Sequence, residues 1–135
     1  MAASLNLSLT HRDHAQSVRF ITGHAKNGSM PEMPDWKGLA DSATTLVIYM
    51  GGRTGAAMAR RLIAEGMAAG TPCVVARSVS RAGQTANFGS LADLASGALA
   101  TAGDEPVLIG IGDALAEART ALPAELWPAL TRQFA

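Results

Sequence analysis

Three short, unbroken apolar runs, residues 46–50 (LVIYM), 73–76 (CVVA) and 106–111 (PVLIGI), limit the fold of this chain more than any other feature. Each is too short for a helix of ordinary length, and each lacks the polar alternation of a strand with one wet face. A strand covered on both sides is the structure that fits. Between the runs lie stretches with helical spacing. In residues 55–67, Ala59, Leu62, Ile63 and Met67 share a stripe that excludes Arg60, Arg61 and Glu65. In residues 91–101, Leu91, Leu94, Ala95 and Ala98 form a second inward face. Strands alternating with helices predict an α/β architecture.

The remaining segments fill in this frame. Residues 18–22 read as a strand whose only charge is Arg19, and residues 26–34 (KNGSMPEMP) read as a loop. Asp35 caps a short helix through Leu39 and Ala40. Residues 51–55 (GGRTG) make a turn, with Thr54 as the cap of the helix that follows. Gly66 and Gly70 end that helix and Pro72 opens the next strand, which reaches Val79 at most. Residues 85–89 follow a short turn and pair back as an antiparallel neighbour. Asp113 caps a helix towards Thr120, and Pro123 and Pro128 bracket a last helical piece containing Trp127. The sum is one domain over residues 1–135, a mixed five-stranded sheet flanked by helices.

Composition removes several classes of function. Formal net charge is zero and aromatics are 4% of the chain, so neither a basic field nor stacking platforms point to nucleic acid. No apolar run approaches the ~20 residues that span a bilayer, and the first residues lack the pattern of a secretory signal. The single Cys73 has no partner for an internal disulfide and lies in an apolar run, so it reads as inert core in a reducing, cytoplasmic setting. With 48% apolar residues the chain carries enough to bury a core.

Candidate chemistry is sparse. The turn Gly51-Gly52-Arg53-Thr54-Gly55 leads from a strand into a helix N-terminus, which exposes N–H groups suited to an anion. It lacks the spacing of a dinucleotide fingerprint and the lysine of a P-loop, so glycines forming a tight turn is the plainer reading. An unrelated nucleotide-binding domain using this turn ranks last. His11, His14 and His24 are the only histidines. The first two have helical spacing, but no third ligand accompanies them locally, and no metal is expected. Thr10, His11 and Arg12 together suit hydrogen bonding to ligand carboxylates. Ser78 and Ser80 are nucleophiles by residue type alone, and no serine sits in a Gly-x-Ser-x-Gly elbow.

Residues 9–24 (LTHRDHAQSVRFITGH) resemble the segment that opens the C-terminal domain of uroporphyrinogen-III C-methyltransferases, which belong to the tetrapyrrole methylases. Residues 45–51 (TLVIYMG) are similar to that family's strand-to-turn element, and the likeness continues through Leu62-Ile63-Ala64-Glu65-Gly66 and Pro72. The resemblance implies a fold in which two α/β domains clasp S-adenosylmethionine, and methyl transfer on the path to sirohaem and cobalamin. It implies that Met50, with Gly51, touches the cofactor. Where the family has Glu-x-Gly-Thr, this chain has Arg77-Ser78-Val79-Ser80, so Val79 puts a branched side chain where the nucleoside belongs. The family's first-domain loops, Gly-x-Gly-Pro-Gly-Asp-Pro and Gly-Gly-Asp-Pro, have no counterpart here, so no catalytic residue carries over. Two expectations follow. The chain is a half-enzyme whose separate N-terminal methylase domain closes the cleft over a tetrapyrrole, inactive alone. Alternatively, it is a non-catalytic module for binding or self-association. Either predicts an exposed apolar docking surface and a homo-oligomer or partner.

Overall fold

The computed structural model describes residues 1–101 and 103–117. The three apolar runs become the three central strands of a five-stranded sheet. In chain order the elements are α1 (Ala2–Leu5), β1 (Ser17–Thr22), α2 (Trp36–Leu39), β2 (Thr44–Tyr49), α3 (Gly55–Ala64), β3 (Pro72–Arg77), β4 (Thr85–Ser90), α4 (Leu91–Ser96) and β5 (Val107–Ile111). A short 3-10 turn follows at Asp113–Leu115. The sheet order is β1-β2-β5-β3-β4. β1 and β2 run parallel, with Phe20 beside Val47. β5 inserts antiparallel between β2 and β3, and β4 folds back on β3 as a hairpin. The sheet is mixed, as expected.

Burial explains the order. β2 is buried from Thr44 to Ile48, and β3 from Cys73 to Ala76. The edge strand β1 is largely exposed and carries Arg19, a charge of the kind that discourages edge-to-edge pairing. On one face, Leu46, Ile48, Val75, Ile109 and Ile111 pack against Met58, Leu62, Leu91 and Leu94 of α3 and α4. On the other, Val74 and Ala76 pack under Leu5, Leu7 and Leu115. That second cover does not reach the β1–β2 corner, where Phe20 is 60% and Tyr49 46% exposed.

Several local expectations change. Asp35 caps α2 as expected, its Oδ1 accepting from the Gly38 N–H at 2.8 Å. Thr54 holds the N-cap position of α3 but makes no cap bond. Its hydroxyl donates instead to the Gly23 carbonyl, tying the helix start to the end of β1. Asp113 is the first residue of its turn, and Gly112 occupies the cap position. α4 stops at Ser96, because Gly97 takes a left-handed conformation (φ 84°). Leu99 is therefore buried where Ala98 was expected, and Ala98 is exposed. The start of α4 is a capping box: Ser90 Oγ accepts from the Asp93 N–H, and the Asp93 carboxylate accepts from the Ser90 N–H. Nor did local patterning announce α1. The helix expected beyond Glu117 and the piece holding Trp127 fall outside the described residues.

Candidate functional site

The two sequence motifs that carried the resemblance meet at the end of the β1–β2 pair. The Gly23 N–H donates to the Tyr49 carbonyl at 2.6 Å. His24 Nδ1 lies 3.0 Å from the Met50 carbonyl. A carbonyl only accepts, so the proton sits on Nδ1. With the Thr54–Gly23 bond, these contacts fix the backbone as it leaves β2. Met50 stands there at φ 55°, a left-handed conformation unusual for a side chain of its size. It does not continue the strand as expected but stays half-exposed at 52%.

The glycines around it serve the fold first. A Cβ on Gly23 would fall 2.6 Å from Gly51 Cα and 2.8 Å from the Met50 carbonyl oxygen, so only glycine lets the two chain segments approach. Cβ atoms on Gly51 or Gly55 would each meet Ile109 Cδ1 at 2.7 Å. The glycine-rich turn thus makes room for a core isoleucine, which supports the plainer reading of that motif.

Beside this turn lies a cavity of about 680 Å³, within the range of small-molecule sites. Met50, Gly52, Val79, Pro106 and Val107 supply apolar lining, while Arg53, Arg81, Asp104 and Glu105 bring both signs of charge to its wall. Of the cofactor residues expected from sequence, Met50 and Val79 line the cavity, whereas Gly51 is buried behind it and Gly52 takes its place. The 103–108 wall is held by Arg77. One guanidinium nitrogen donates to the Ala100 carbonyl at 2.7 Å and the other lies 4.0 Å from Glu105. Sequence reasoning missed Arg77 and His24 as supports, since their partners lie 23 and 26 residues away.

Val79 sits in a tight turn, flanked by Ser78 (φ 48°) and Ser80 (φ 62°). Ser80 Oγ shares a 3.1 Å hydrogen bond with Ser4 Oγ of α1, which gives that hydroxyl a structural role. Cys73 is buried, and desolvation pushes its thiol up to about 12, with the Asp93 charge adding to the effect. It is inert core, as expected.

Thr10, His11 and Arg12 do not join the cavity. The Gln16 N–H donates to the Ala43 carbonyl just before β1 and β2 begin. Met50 follows the last residue of β2, a strand of six residues, or roughly 17 Å at ordinary strand rise. The Thr10–Arg12 loop lines its own shallow depression with Ala15 and Gln16, at the opposite end of the sheet. There the fold supplies the third group that the local sequence lacked: Glu117 Oε1 lies 3.1 Å from His11 Nε2, and His14 stacks on His11.

Comparison with known proteins places this geometry in a family. Residues 1–95 match the Tetrapyrrole (Corrin/Porphyrin) Methylases. Siroheme synthase 1 of Yersinia pseudotuberculosis serotype I is 43% identical over 111 residues, which cover 82% of this chain and 23% of that protein. The siroheme synthase of Azotobacter vinelandii is 40% identical over 112 residues, covering 83% of this chain and 24% of the relative. A uroporphyrin-III C-methyl transferase from Thermus thermophilus, complexed with S-adenyl homocysteine, superposes with a TM-score of 0.70 at 24% identity, covering 83% of this chain and 48% of that one. The chain therefore spans about a quarter of these curated relatives and about half of that solved enzyme. Among the described residues, no helix is long and apolar enough to cross a membrane. By the extent of the family match, the chain belongs to the tetrapyrrole methylases.

Proposed function

We propose that this domain is one wall of an S-adenosylmethionine-dependent C-methyltransferase acting on uroporphyrinogen-III, and that it corresponds to the C-terminal half of such an enzyme. The observation that carries the proposal is the cavity beside Met50. It lies where two family-like motifs are braced together, in a fold shared with an enzyme crystallised with the cofactor's product.

The residues present fit that cofactor in kind. Met50, Val79, Pro106 and Val107 offer an apolar surface for a purine. Asp104 and Glu105 would accept from ribose hydroxyls, and Arg53 or Arg81 would pair with the amino-acid carboxylate. When bound, the cofactor supplies an activated methyl group. The task of this chain's residues is to hold and orient it, which is where much of the rate of a two-substrate reaction originates. Among the described residues lining the cavity there is no serine or cysteine nucleophile. A second methylase domain would complete the cleft over the tetrapyrrole and supply the acid and base, and the exposed Phe20, Tyr49 and Met50 are apolar surface for such a partner or a second copy.

One observation favours the second reading, a non-catalytic binding or self-association module: Val79 stands in the cavity wall, at the position where the resemblance implies a glycine. Calorimetric titration with S-adenosylhomocysteine separates the two. Saturable one-to-one binding, weakened by Met50→Ala, is the expected result. Absence of heat and of thermal stabilisation at millimolar ligand, unchanged when a second methylase domain from a siroheme synthase is added, would leave the module reading standing.

A further inference from the structure

We propose that His11, His14 and Glu117 form a binding site for a divalent transition-metal ion, at the end of the sheet opposite the cavity. One ligand atom from each of the three residues lies within 4.8 Å of the others. The arrangement is set by backbone. The His11 N–H donates to the Ala15 carbonyl at 2.8 Å, and the His11 carbonyl accepts from the Ala15 and His14 N–H groups at 3.0 and 3.1 Å. This closed loop brings the two imidazoles together, with centroids 4.7 Å apart. Glu117 arrives from beyond β5 and places Oε1 3.1 Å from His11 Nε2.

A tetrahedral ion with bonds of about 2.0–2.1 Å holds its ligand atoms roughly 3.3 Å apart. The His11–Glu117 pair, at 3.1 Å, is close to that separation, and the exposed His14, whose ligand atom lies within 4.8 Å of the other two, would move closer to complete it. Two imidazoles and one carboxylate suit Zn²⁺ or Co²⁺ and leave a fourth position open.

The surroundings are consistent with this donor set. A metal on Nε2 requires the His11 proton on Nδ1, and the Asp13 carboxylate, now 4.0 Å away, would close in to accept it. In the metal-free protein, Nδ1 instead accepts from the Asp13 N–H at 3.2 Å, so loading exchanges one contact for the other. Within the loop itself the Arg12 and Asp13 charges offset one another. The bound ion would tie the segment after β5 to the loop before β1.

A plain His11–Glu117 hydrogen bond would have no use for His14, which makes that residue the discriminating one. The test is titration of the full, untagged, metal-stripped chain with Co²⁺, read by ligand-field absorption, and with Zn²⁺ by calorimetry. The expected result is one ion per chain with tetrahedral-type absorption. His14→Ala and Glu117→Gln should each weaken Zn²⁺ binding by about tenfold or more, while His24→Ala binds as the parent does. Both altered positions are exposed, and unchanged circular dichroism would verify folding. No saturable binding at micromolar Zn²⁺, or His14→Ala binding as tightly as the parent, would overturn the proposal.

Discussion

The two ends of the sheet are built by different means. At the end where β2 finishes, position is set by backbone: Gly23 against Gly51, Met50 in a left-handed turn, and carbonyls of Tyr49, Met50 and Gly23 each taken by a named donor. At the end where β2 starts, backbone bonds close the 11–15 loop, and contacts made by solvent-facing carboxylates are added to them: Glu117 with His11, and Asp41 with the buried Thr44 hydroxyl. Backbone contacts of the first kind tolerate almost no added atoms, because the opposing atoms are backbone of the segments just beyond β1 and β2, tied together by their own hydrogen bonds. Exposed side-chain contacts can be lost and replaced by water at little cost. The first end is therefore suited to holding a ligand in one geometry, and the second to gaining or losing a contact.

The sharpest way to break this contrast is Gly23→Ala. Its Cβ would meet backbone atoms at 2.6–2.8 Å with no flexible side chain to give way. We expect a loss of about 3 kcal/mol, seen as a fall in Tm of roughly 10 °C, together with loss of any cofactor binding. An unchanged Tm would show that the two strand ends are not locked.

Val79→Gly probes the same end with a smaller and two-signed effect. Opening the cavity wall should tighten S-adenosylhomocysteine binding by about tenfold. It should also cost about 1–2 kcal/mol of stability, since a half-buried valine is lost from a turn already flanked by two left-handed serines. Parent-like affinity in a folded variant would mean that the side chain does not obstruct the ligand. The matching test at the other end is Glu117→Gln without metal. Its carboxylate is 62% exposed, so a change of about 0.5 kcal/mol or less is expected. A drop comparable to that of Gly23→Ala would erase the distinction between the ends.

What could be read from sequence divides along the same line. The runs at 46–50, 73–76 and 106–111 were legible as strands because burial on both faces leaves a local apolar signature, and all three are central. That the last run lies between the other two was not legible, since sheet order depends on contacts between distant segments. The same reason hid Glu117 beside His11, Arg77 behind the 103–105 wall and Thr54 on Gly23. Met50 and Val79, singled out by the motifs around them, line one cavity, whereas Thr10, His11 and Arg12 belong to a different surface. Motif order along a chain does not say at which end of a strand a loop will lie.

Asp41 gives the smallest effect and the finest test of the open end. Its Oδ1 accepts from the Ala43 N–H and its Oδ2 from the Thr44 hydroxyl, each at 3.0 Å. The backbone N–H of Ala43 is the larger cause, followed by Thr44, and together they hold the carboxyl below its ordinary value of 3.8. A depressed folded value means that the ionised group contributes stability above the ordinary carboxylate range. That contribution fades as pH falls through the folded value. The side chain is open to solvent, so the contribution is small. The Tm gap between the parent chain and Asp41→Asn should therefore be largest near about pH 6 and narrow towards about pH 3. A gap that stays constant across that interval would mean that Asp41 shapes the turn before β2 without its charge contributing, leaving the open end held by geometry after all.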